Sequence, residues 1–220
     1  SVLTGAAAAA LYGSHAANGA IVITTKKGKE GRLSLTVSQN TEFLRPFVTP
    51  NFQNSYGTGD LLSSAGSVEK SWGNKLNPSN YMGYDPINDF LRTGVVATET
   101  VSLSTGTEKN QTYFSASAVN SVGMVPNNDY DRYNFTFRNT TSFLNDKMTL
   151  DVSASYIKQK DQNMVNQGTY SNPLVTAYLF PRGDDWNEIK MYERWDTSRN
   201  IYTQYWPQGI DTFTGQNPYW

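Results

Sequence analysis

Five stretches of this chain alternate apolar with polar residues, and that period of two marks them as strands. Leu33, Leu35 and Val37 alternate with Ser34, Thr36 and Ser38, and Val101 and Leu103 alternate with Thr100, Ser102 and Ser104. Phe114, Ala116 and Ala118 oppose Tyr113, Ser115 and Ser117. Tyr133, Phe135 and Phe137 oppose Asn134, Thr136 and Arg138. In the fifth run Met148, Leu150, Val152, Ala154 and Tyr156 oppose Thr149, Asp151, Ser153 and Ser155. The chain carries 17 glycines and 9 prolines, yet none falls inside these runs, where either would weaken a ladder.

The gaps distinguish two architectures that share this alternation. Strands two and three are joined around Gly106-Thr107-Glu108-Lys109-Asn110, and strands four and five by Asn145-Asp146-Lys147. Both are tight reversals. The gap from Glu42 to about Ala97 is very long, and the one over about 121–131 is intermediate. After the fifth run about sixty residues pass with no strand expected. Short reversals at one end and long loops at the other are the pattern of outer-membrane barrels. A soluble Greek-key sandwich has no reason to sort its loops this way, and structureless loops of such length argue against a compact soluble domain.

On this reading the fold is all-β, and Phe135, Leu150 and Val152 face lipid while Tyr133 and Tyr156 take interfacial girdle positions. Arg138 and Asp151 then point to a polar lumen or against a plug, because a charge facing lipid at mid-bilayer costs roughly 2–4 kcal/mol. Five strands cannot close, and an open edge does not survive in hydrocarbon. The runs are therefore expected to be the first part of a larger wall.

Composition narrows the function further. The net charge is -1 and the pI about 5.8, so the chain has no basic field for nucleic acid. There are no cysteines, which removes disulfides, thiolate metal sites and cysteine nucleophiles together. His15 is the only histidine, so no His-based triad or His cluster can form, and no enzyme activity is expected. Apolar runs fall far short of the ~20 residues of a spanning helix, which leaves a strand-built membrane protein open. No signal peptide is visible at residue 1.

The N-terminal stretch has its own grammar. Residues 6–10 are five alanines followed by Leu11-Tyr12-Gly13, an Ala-rich helix with a glycine stop. Asn18-Gly19 marks a tight turn, and Ala20 to Thr25 reads as a buried strand before the basic, Gly-containing Lys26-Lys27-Gly28. His15 is expected to pack between helix and strand.

The run from Val2-Leu3 through Tyr12-Gly13-Ser14-His15-Ala16-Ala17-Asn18-Gly19 to Ile21-Val22-Ile23-Thr24-Thr25-Lys26 resembles the end of the plug domain of TonB-dependent outer-membrane transporters. It is most similar to the SusC/RagA-like branch, with Tyr12, Gly13, Asn18 and Gly19 as the plug motif. That family usually has Lys-Asp after the Val-Leu, where this chain has Thr4-Gly5. The resemblance continues through Asn88-Asp89-Phe90-Leu91-Arg92-Thr93-Gly94, Tyr113–Ser117, Asp131–Asn139 and Asn172-Pro173.

The resemblance implies the C-terminal end of an α+β plug over residues 1–30. Residues 31–220 would begin a 22-stranded transmembrane barrel with extracellular loops at about 42–97, 121–131 and 159–220. It further implies active import of oligosaccharides or oligopeptides across the outer membrane of a gram-negative bacterium. Partners implied are a SusD-like surface lipoprotein as lid, TonB acting through an upstream segment, outer-membrane lipid, and a dimer of transporter–lipoprotein pairs. The alternatives are a siderophore- or cobalamin-type TonB-dependent receptor, or a non-transporting surface glycan-binding protein. The long first loop and the Ala16-Ala17-Asn18-Gly19 run argue against the siderophore type.

The remaining candidates lie in the loops. Asn127, Asn128, Asp129 and Asp131 could offer oxygen ligands to Ca²⁺, but the spacing of an EF-type loop is absent and a solvated turn is the plainer reading, so no cofactor is expected. The Asn-x-Thr triplets at Asn110, Asn134 and Asn139 fall in or beside strands and read as chance. Four of the five tryptophans follow Ala177. Trp186, Trp195, Tyr202, Tyr205 and Trp206 are candidate substrate or lipoprotein contacts, and equally the small core that a long ordered loop requires.

Overall fold

The computed structural model describes residues 1–60, 70–77, 85–168, 172–180, 182–206 and 216–220. In chain order these form β1 (Val2–Leu3), α1 (Gly5–Tyr12), a 3-10 turn at Ser14–Ala16 and β2 (Ala20–Ile21). Then come β3 (Gly31–Leu44), β4 (Gly59–Asp60), β5 (Ser71–Trp72) and a single π turn at Pro86–Phe90. The long strands β6 (Gly94–Gly106), β7 (Asn110–Val122), β8 (Asp129–Phe143) and β9 (Met148–Gln162) follow. The chain continues with α2 (Pro173–Leu179), a 3-10 turn at Trp186–Lys190, β10 (Glu193–Asp196) and β11 (Ile201–Gln204). A five-stranded sheet of order β3-β6-β7-β8-β9 dominates, each strand beside its neighbour in sequence. Each of the five alternating runs is one of these strands. The strands extend a few residues past the runs at both ends, so the intermediate gap shrinks to residues 123–128.

Contacts divide the chain into two compact units. One holds Ser1–Val37, Thr100–Ala116 and Asn134–Tyr156, the other Ser38–Glu99, Ser117–Tyr133 and Ile157–Trp220. The short reversals at 107–109 and 144–147 both belong to the first unit, and the connections at 45–93, 123–128 and beyond 162 to the second. In the reversal before β7, Thr107 N–H donates to Asn110 O at 2.7 Å. In the reversal before β9, Leu144, Asn145 and Asp146 all take positive φ, between 55° and 62°.

The N-terminal segment departs from expectation in two places. Helix α1 ends at Gly13, whose φ of 78° suits glycine, and Gly13 N–H bonds Ala9 O at 2.9 Å. The strand expected over Ala20–Thr25 is only Ala20–Ile21, paired antiparallel with Val2–Leu3. Val22 continues the pairing by exchanging two bonds with Ser1, both at 2.8 Å, and Ile21 and Ile23 are exposed. His15 is exposed as well; the buried residue of that turn is Ala16.

In the second unit, the Asn88–Gly94 stretch joins two structures. Phe90 is buried in the core, and Arg92 grips the turn before β8. Arg92 Nε donates to Gly123 O at 2.9 Å, and Nη2 approaches Asp129 Oδ1 at 3.3 Å. The stretch after β9, expected to lack strands, contains the antiparallel hairpin β10–β11. Its core gathers Phe90, Ala177, Phe180, Trp186 and Ile189, with Leu91, Val125, Leu174, Trp206 and Tyr219 packed around them. Trp186 stands edge-on to Phe180 at 4.9 Å and to Phe90 at 5.6 Å, a geometry that aromatic quadrupoles favour.

Candidate functional site

In a soluble protein apolar side chains are covered and polar ones are wet. Strand β8 reverses this, with Phe135 and Phe137 exposed and Asn134, Thr136 and Arg138 partly covered, while on β3 and β9 the apolar residues are exposed along with their polar neighbours. Leu33, Leu35 and Val37 are 63%, 63% and 68% exposed, and Phe135, Phe137, Leu150 and Val152 share their state. Arg138, one residue beyond Phe137, keeps only 16% of its side chain exposed. The apolar set of β9 from Met148 to Tyr156 covers eight steps of about 3.3 Å, about 26 Å along the strand. At the usual tilt that gives roughly 20 Å of height, near the ~25 Å apolar band of a membrane barrel.

What covers the polar face is the linker between β2 and β3. Thr25 Oγ1 accepts from Arg138 Nη1 at 2.6 Å. The same guanidinium grips Asp151 with two parallel bonds, Nε to Oδ1 at 2.8 Å and Nη2 to Oδ2 at 2.5 Å. Lys27 Nζ lies 3.8 Å from Asp151 Oδ2, and Lys29 N–H donates to Ser104 Oγ at 3.0 Å. Gly28 rests on the backbone of β7: a Cβ there would sit 2.5 Å from Thr112 N. Beside this seat is a cavity of about 450 Å³ lined by Lys26, Lys29, Arg32, Ser34, Ser102 and Tyr113 among others. The face that holds Arg138 and Asp151 is thus the face that carries the linker, as the alternation predicts. Which residues of the linker would reach them was not legible in the sequence.

The aromatic candidates separate. Trp186 is 3% exposed, and its indole N–H donates to the Tyr219 hydroxyl at 3.0 Å, so the structure makes it a packing residue. Trp206 is half-buried against the same core, and its neighbour Pro207 lies outside the described residues. Trp195 and Tyr202 face each other across β10 and β11 with rings 5.0 Å apart, and are 48% and 57% exposed. The Tyr205 ring carries the Arg194 guanidinium 3.6 Å from its centre.

Two features of this unit went unread in the sequence. Asn217, 2% exposed, ties the loop together: its amide donates to Ile189 O and Tyr205 O, both at 3.0 Å, and its backbone N–H to Gln204 Oε1 at 2.6 Å. A cleft of about 860 Å³ is lined by Phe52, Trp72, Tyr178 and Arg182, with the Lys70–Asp60 ion pair at 2.8 Å. An asparagine among many polar residues and two isolated aromatics carry no periodic signal.

The four oxygen-bearing residues weighed for Ca²⁺ are engaged within the protein. Asn127 donates to Tyr219 O, Asn128 to Asn163 O, Asp129 receives Arg92, and Asp131 accepts from Asn120 at 2.7 Å. Among the described residues no group of three or more His, Cys, Asp or Glu could hold a metal ion, and no helix is long and apolar enough to cross a membrane.

Exposed apolar side chains on β3, β8 and β9 suit strands that meet lipid. The chain is 29% identical over 166 residues to the TonB-dependent receptor SusC of Bacteroides thetaiotaomicron, covering 73% of this chain. It is also 29% identical to the TonB-dependent receptors P39 and P3 of Formosa agariphila, each over 60% of this chain. No family model matches. The chain is thus similar over most of its length to SusC and related TonB-dependent receptors. It spans 16%, 13% and 12% of the lengths of those three relatives.

Proposed function

We propose that this chain forms part of an outer-membrane importer of oligosaccharides or oligopeptides. Residues 1–30 would end its plug and residues 31–220 would begin a 22-stranded barrel. TonB would drive uptake from the inner membrane, and a SusD-like surface lipoprotein would cover the loops, the two pairing as a dimer of transporter–lipoprotein units. The observation that supports this reading is the row of exposed apolar side chains, Leu33, Phe135 and Leu150 among them, with Arg138 bonded to Thr25 of the linker. A protein that transports rather than catalyses needs such a wall and no nucleophile. The exposed Trp195–Tyr202 pair, with Tyr205 and Trp206 beside it in sequence, is proposed as the contact surface for lipoprotein or substrate.

The test is fractionation and copurification of the complete protein from its native host. It should be recovered in the outer membrane and bring down a surface lipoprotein when solubilised in mild detergent. Recovery of a lone, water-soluble chain would overturn the reading.

A further inference from the structure

Five consecutive linker residues supply four separate contacts to one face of the sheet, and the contacts are of different kinds. Thr25 uses its hydroxyl, Lys27 its charge, Gly28 its lack of a side chain and Lys29 its backbone N–H. Arg138 stands at the centre. Its guanidinium fork is used in three directions at once, two on the Asp151 carboxylate and one on Thr25. A lysine could keep the charge but not the fork. Asp151 is shared in turn between a wall cation, Arg138, and a linker cation, Lys27. The seat therefore has a polarity: an acid at 151 and a base at 138 suit Lys27, and the reverse would set two cations together.

We propose that Arg138 is a positioning residue that, through Asp151, seats linker residues 25–29 on the wall. This rests on the reading of β3 and β6 to β9 as barrel wall. Gly28 supports it independently of any charge, because a Cβ at that position would meet Thr112 N at 2.5 Å and Gln111 C at 2.7 Å. The linker backbone lies flat against β7 only as glycine.

The experiment is hydrogen exchange on the complete transporter in outer-membrane vesicles, comparing wild type, the exchange Arg138→Asp/Asp151→Arg, and Gly28→Ala. The exchange keeps an ion pair within the wall, so amides 134–140 and 149–153 should stay protected as in wild type. The Lys29 amide, which donates to Ser104 Oγ, should exchange roughly tenfold faster or more, because the linker now meets the wrong charge. Gly28→Ala should loosen the same amide with both wall residues intact, and it decides alone if the exchange variant does not assemble. Linker protection equal to wild type in Gly28→Ala overturns the seat. Recovery of wild type outside the membrane is a different failure, that of the wall itself, and fractionation tells the two apart.

Discussion

Leu150 and Ser153 are three residues apart on β9, and the alternation puts them on opposite faces. Leu150 is 55% exposed on the apolar face, where an arginine would have to be desolvated by lipid. Leu150→Arg should cost about 2–4 kcal/mol and sharply reduce the amount assembled in the membrane, whereas Ser153→Arg should assemble normally. Membrane yield of the complete protein reads this out, and equal yields would reverse the facing. Asp184 offers a test in the loops. Burial, and secondarily the charge of Glu188, raises its carboxyl above the ordinary value. The folded form then holds its proton more tightly than the unfolded form, so this residue costs stability as pH rises through that range. Asp184→Asn should therefore raise the melting temperature at pH 7, and the gain should vanish below about pH 3.5, where the carboxyl is protonated in both states.

The hairpin β10–β11 and the 3-10 turn before it divide the aromatic residues by role. Trp186 lies in the core beside Phe180 and Phe90, so Trp186→Ala should destabilise that unit by about 3–5 kcal/mol and open it to protease. Trp195 and Tyr202 are held in an exposed pair by a turn that Asp196 closes. Its Oδ1 accepts from Ser198 N–H at 2.8 Å and Ser198 Oγ at 2.6 Å. Replacing both aromatics by alanine should leave protease resistance unchanged and weaken recovery of the lipoprotein; unaltered recovery would count against the contact role. The hairpin went unread because Glu193–Asp196 and Ile201–Gln204 are four residues each, too short for periodicity to rise above noise.

Across the long strands, apolar side chains that a soluble fold would hide are exposed, while Arg138 is mostly covered. The chain has no cysteine, so single cysteines introduced into these strands report on facing directly. In membrane vesicles of the complete protein, Phe137→Cys and Val152→Cys should resist a water-soluble maleimide and react with a lipid-soluble one. Thr36→Cys and Ser102→Cys, which line the cavity beside the linker, should show the reverse preference. Identical labelling of the two sets would mean that no bilayer lies against this face.

Facing was decided by the sequence, because a strand sends successive side chains to opposite sides and the pattern is complete within a few residues. The partners of the polar face were not legible, since Thr25 and Arg138 meet across 113 residues of chain. Nor was the division between Trp186, buried, and Trp195 and Tyr202, exposed, because that depends on which segments fold back to cover an indole. Tertiary structure made these choices, since burial is a property of what surrounds a side chain and the composition of a loop does not say what will surround it.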